Sequence, residues 1–170
     1  LRIDTSGQRL SLGLTANTNA NTAFRVYDYT YVFPQRLSPY LQHNDNDIAN
    51  KGINFTLDYE KPMFNKRDRL EIGVALGIRQ NQNDIDVQVY NFKAEQFNKE
   101  EKLSSDFVYN EKIYATYASY RYRRNDWTIR GSVRGEYTNV AFDLADGLAY
   151  KVDPYFNLFP SLSISKRIKK

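Results

Sequence analysis

The sequence contains no cysteine, which removes both a disulfide framework and a thiolate metal site. It has one histidine, one tryptophan and one methionine. Ser161, Ser163 and Ser165 therefore have no histidine partner for nucleophilic catalysis. His43 alone in a polar stretch does not supply the Ser/His pair that an outer-membrane lipid hydrolase needs, and no enzyme is expected. No run approaches the roughly 18 apolar residues of a membrane helix. If the chain enters a bilayer, a closed barrel is the only other way to satisfy its backbone polar groups there. Charge of one sign is scarce too: 24 basic residues stand against 20 acidic ones, for a net +4. Because the two signs are interspersed, a nucleic-acid face is not expected. The one basic cluster, Lys166, Arg167, Lys169 and Lys170, reads as a truncated strand end rather than an anionic-lipid or nucleic-acid patch. An initiator Met, an apolar signal segment and a cleavage site are all missing, so a piece of a longer protein is expected.

What the sequence does have is aromatic residues, 14 Tyr and 10 Phe among 170 residues, which suit a pleated surface better than a helix. The cleanest pattern lies in 127–138. Trp127, Ile129, Val133 and Tyr137 fall on one side, with Gly131 and Gly135 between them; Thr128, Arg130, Ser132, Arg134, Glu136 and Thr138 fall on the other. That period of two requires a strand with one apolar and one wet face. From Trp127 to Tyr137, at about 3.4 Å per residue and a tilt of about 45°, the height is roughly 24 Å, close to the spacing of aromatic girdles on a membrane barrel. A mean hydropathy of −0.67 is compatible with this, since only alternate residues meet lipid.

In chain order, 8–16 reads as a strand with Leu10, Leu12 and Leu14 on one face, 17–21 as a polar turn, 22–33 as a strand and 34–51 as a long polar loop. Segment 52–60 is a strand, and a turn follows over 62–68. Segment 69–79 carries the most hydrophobic face, Leu70, Ile72, Val74, Leu76 and Ile78. Ile85, Val87 and Val89 resume alternation with the opposite parity, so either a bulge or a turn lies between, and a bulge in one long strand projecting beyond the membrane is preferred. A charged loop at 93–105 leads to a strand over 106–122, a tight turn at 123–126, the strand 127–138, a long loop at 143–154 and a last strand at 155–168 containing Pro160. In 106–122, the parity of Glu111 and Arg121 puts Ile113, Ala115, Tyr117 and Ser119 on the inner face. The connections alternate short and long, as the rims of outer-membrane barrels do. Turns 17–21, 62–68 and 123–126 are assigned to the periplasmic end, and loops 34–51, 93–105 and 143–154 to the outside.

The blocks LDYEKPM, LEIGVALGIR, FVYNEKIYATYASY, WTIRGSVRGEYT and YFNLFPSLSIS, in that order, resemble the outer-membrane β-barrel domain of TonB-dependent receptor-like proteins of Gram-negative bacteria, over about residues 50–165. The resemblance implies an all-β, antiparallel transmembrane barrel in the cell outer membrane. About seven strands here would form part of a larger barrel of about 22 strands, with residues 1–170 a partial barrel domain. It also implies as partners membrane lipid, the remaining strands and plug of the same protein, and an energy-coupling protein or surface lipoprotein. The family's plug, TonB-contacting segment and terminal aromatic assembly signal are not found in these residues. The function implied is uptake of a bulky nutrient or metal chelate; the alternative is a structural or accessory barrel subunit of a larger envelope complex.

Candidate lumen-facing residues are Glu111, Arg121, Arg130, Arg134 and Glu136, which on a wet wall form either substrate contacts or a charge ladder that neutralises itself. No cofactor and no metal site is expected: His43, Asp45 and Asp47 match no ligand spacing and read as a solvated loop.

Overall fold

The computed structural model describes residues 7–30, 39–144 and 147–168, apart from the side chains of 65 and 66. Seven antiparallel strands form one sheet: β1 (Arg9–Tyr29), β2 (Tyr40–Met63), β3 (Asp68–Asn91), β4 (Gln96–Lys99), β5 (Ser105–Arg124), β6 (Trp127–Leu144) and β7 (Ala149–Lys166). A single helical turn, α1 (Phe64–Arg67), joins β2 to β3. Neighbouring strands follow the order β1-β2-β3-β5-β6-β7, and β4 pairs with β3 beyond the reach of β5. Among the described residues β1 and β7 do not touch each other, so the sheet is open.

Register fixes the two faces. Ile72 of β3 stands beside Tyr59 of β2 and Ala118 of β5, and Ala118 beside Val133 of β6. Leu10, Leu57, Val74, Leu76, Tyr114, Ile129, Tyr137, Leu158, Leu162 and Ile164 share that face. Leu12 and Leu162 are 70% and 71% exposed, an arrangement that water would penalise and lipid does not. The opposite face fills its own surface: Ala115, Ser119, Thr138 and Val140 are buried there.

The strands run 18 to 24 residues, apart from the short β4. Crossing a bilayer needs about 9–11, so the sheet continues well beyond it. This corrects several expectations. Residues 17–21 form no turn; Asn17 to Asn21 pair with Gly52 to Ile48 inside β1 and β2. The segment 34–51 is mostly β2, with 34–38 outside the described residues, as is the 31–33 end of the expected 22–33 strand. The loop expected at 143–154 contracts to the few residues between Leu144 and Ala149, because Asp143 pairs with Ala149.

No bulge interrupts β3, whose register with β2 and β5 is continuous. The parity change at Ile85 is a change of solvent. Beyond Ile78 the outer face turns polar, with Gln80, Gln82, Asp84 and Asp86, because it leaves lipid for water. The inner face takes the apolar residues instead, and Val87 is only 2% exposed. Between β4 and β5 the edge of β3 is capped: Ser104 Oγ accepts from Val87 N at 3.0 Å, and Glu100 N donates to Val87 O at 2.7 Å. A register shift does occur in β7, where Asp153 and Pro154 lie opposite Asn139. Pro160 also stands in β7, an edge strand of this sheet, where proline is tolerated.

The turn between β5 and β6 is confined to Asn125 and Asp126, with Asn125 in the left-handed region at φ 52°, which asparagine enters readily. Of the terminal basic cluster, Lys166 lies in β7 with its Nζ 5.0 Å from the centre of the Trp127 ring, and Arg167 N donates to Asp126 O at 2.8 Å. Lys169 and Lys170 lie outside the described residues.

Candidate functional site

The polar face across β2, β3, β5 and β6 holds three linked sets of charges. At its centre Arg134 Nε donates to Glu136 Oε1 at 2.6 Å, and its guanidinium stands 5.6 Å from the centre of the Tyr117 ring. The Tyr117 hydroxyl in turn donates to the Asp58 carboxylate. For Tyr117 on β5 to reach Asp58 on β2, the ring must lie flat over β3, and Gly73 makes that possible. A Cβ there would meet Tyr117 Cζ at 2.5 Å and Oη at 2.6 Å. The set therefore joins four strands through a gap that only glycine leaves open.

Toward the short turns, Arg130 donates to Glu71 at 2.6 Å and Ser119 donates to the same carboxylate at 3.1 Å. Arg69 pairs with Glu60. Arg121 lies between Arg69 and Arg130 in the register and has no side-chain partner among the described residues. Toward the long connections, Glu111 pairs with Arg79 at 3.5 Å and accepts from the Tyr109 hydroxyl at 2.9 Å.

All five sequence candidates therefore stand on one face. Glu111, Arg130, Arg134 and Glu136 have partners, and Arg121 is the exception. Each of these pairs is partly exposed, so each stabilises the sheet modestly, by about 0.2–1 kcal/mol. Asp58, Glu71, Arg79 and Tyr117 complete the sets. Their parity was legible, but which strands pair, and hence that Tyr117 crosses Gly73, was not.

His43, Asp45 and Asp47 are not in a loop; they lie in β2 on the outer face beyond the apolar band. His43 stacks on Phe97 at 4.0 Å and meets Phe24 edge-on at 5.2 Å. No cluster of potential metal ligands forms among the described residues. Near them Lys99 pairs with Asp86 at 3.3 Å. A hydrogen bond from Gln88 and the nearby Lys99 ammonium hold the Asp86 carboxyl below its usual range against the opposing effect of burial.

Comparison with known proteins adds three findings. A family model described as "Outer membrane protein beta-barrel family" matches residues 1–170. A sequence search among curated proteins gives no match. Among solved structures, the fold is similar to the crystal structure of the ferric citrate transporter FecA in its unliganded form. The TM-score is 0.56 at 14% identity, over 93% of this chain and 23% of that one. The chain thus spans about a quarter of that transporter's length, and at this identity the likeness is one of fold.

Proposed function

From the premise that this chain belongs to the outer membrane protein β-barrel family and resides in the outer membrane, we propose that it is part of the wall of a TonB-dependent receptor-like barrel that takes up a bulky nutrient or metal chelate. Other strands of the same protein would close the barrel against β1 and β7. A plug and an energy-coupling protein, with or without a surface lipoprotein, would complete the machine. The reading includes no catalytic step and no cofactor.

The observation that carries it is the pairing of a lipid-matched face with a charged face on a sheet open at both edges. In lipid each unpaired backbone group costs several kcal/mol, so both edges demand partners. Seven strands are too few to leave a wide lumen by themselves, whereas transporter barrels of about 22 strands enclose one.

A structural barrel remains the second reading, favoured by one specific observation: four of the five candidate residues have their charge paired within the face, Arg134 with Glu136, Arg130 with Glu71 and Glu111 with Arg79. The test compares cells carrying the full-length protein with cells lacking it. Depletion of bulky solutes from a complex medium is measured with and without a protonophore. Depletion that requires both the protein and an energised membrane supports transport; identical media from both strains would overturn it in favour of the structural reading.

A further inference from the structure

We propose that the polar face, beyond the lipid-facing band, carries a binding strip for a neutral, hydroxyl-rich ligand, namely an oligosaccharide chain. This rests on the reading above that the face borders a solute path, and it names the class of solute. The strip is a single register row across six strands: Asn19, Asn50, Asn81, Tyr109, Phe142 and Tyr150. Three amides stand side by side, followed by three aromatic rings.

The chemistry of each half points to the same ligand. A primary amide offers two donors and a two-lone-pair acceptor, which match the adjacent hydroxyls of a sugar ring. None of the three amide side chains has a hydrogen-bond partner among the described residues, so their capacity is unspent. In the other half, the Tyr109 and Phe142 rings sit 5.1 Å apart at 54°, and Tyr150 is 57% exposed. Such rings give the apolar C–H face of a sugar a platform. The Tyr109 ring is anchored through its hydroxyl to Glu111 at 2.9 Å.

Charge decides between ligand classes. The row beyond this one carries no charged side chain, and the only charges in the row on the other side, Arg79 and Glu111, pair with each other at 3.5 Å. An anionic chelate or a phosphorylated solute would find no free counter-charge along the strip. Length favours a chain over a single sugar: five interstrand spacings of about 4.8 Å make roughly 24 Å.

The experiment is calorimetric titration of the full-length protein in detergent with neutral hexasaccharides of glucose, mannose and xylose, and with hexagalacturonate as the anionic comparison. The expected result is binding of at least one neutral hexasaccharide in preference to hexagalacturonate. That binding should weaken at least about tenfold in both Asn50→Ala/Asn81→Ala and Tyr109→Leu/Phe142→Ala, and stay unchanged in Lys112→Ala, which lies on the opposite face of β5. Retained heat-modifiability on gels shows that each variant is folded. Absence of neutral binding, a preference for hexagalacturonate, or indifference to both double substitutions overturns the proposal. If bulky solutes are nevertheless depleted by cells carrying the protein, transport stands and only the ligand class was wrong. If depletion is absent as well, both readings fall.

Discussion

Replacing Val133 with arginine places a charge where the structure offers it nothing. Val133 is six residues along β6 from Trp127, which at about 3.4 Å per residue and a tilt of about 45° sets it about 14 Å above that ring, near mid-membrane. Its register row holds Leu10, Tyr59, Ile72, Ala118 and Pro160, with no carboxylate among them. An arginine on the lipid face at this depth costs about 2–4 kcal/mol. Its neighbour in sequence, Arg134, points the other way. Arg134→Ala loses the bond to Glu136 and the contact with the Tyr117 ring, but on a wet face with 38% of the arginine side chain exposed, so about 0.5–1 kcal/mol is expected. The assay is reversible folding of the full-length protein into lipid vesicles across a urea series, read by gel mobility and fluorescence. If Val133→Arg proved no worse than Arg134→Ala, the assignment of faces would be refuted.

Three further outcomes are expected. Gly73→Ala should displace the Tyr117 ring and cost about 1–2 kcal/mol through the lost bond to Asp58; Tyr117→Phe should cost about as much, and the double variant in the same urea series should cost little more than either, since both remove one interaction. An epitope tag after Gly147, which is exposed with φ 80°, should leave folding intact and label whole cells, whereas a tag at Asn125 should label only permeabilised ones. Residues 1–170 expressed alone should aggregate, because β1 and β7 offer unpaired edges in lipid; a discrete, heat-modifiable monomer on gels would show that they close on each other.

The membrane-spanning part of each strand was legible in the sequence because lipid on one side and water on the other write a period of two into the residues. Leu10 to Leu14, Ile72 to Ile78 and Trp127 to Tyr137 all carry it. Beyond the membrane that contrast vanishes. Asn17 to Asn21 meet water on both sides and read as a turn, though they are paired throughout with β2. Residues 40–51 read as a loop for the same reason. Ile85, Val87 and Val89 reversed the pattern when the apolar side moved from the outer to the inner face, which in sequence alone is indistinguishable from a bulge. At the candidate site the charged parities of β5 and β6 were visible. The Asp58, Tyr117 and Arg134 set depends on β2, β3 and β5 lying side by side in one register, and no local pattern states that.

The central claim is that β6 separates lipid from a water-filled interior. It is tested most directly by placing a nitroxide spin label at each position from 128 to 138 of the full-length protein in vesicles, and measuring collision with oxygen and with a water-soluble nickel chelate. The account predicts strict alternation, with oxygen dominant at 129, 131, 133, 135 and 137 and the nickel chelate dominant at 130, 132, 134 and 136. Accessibility without a period of two, or with its phase reversed, would contradict it.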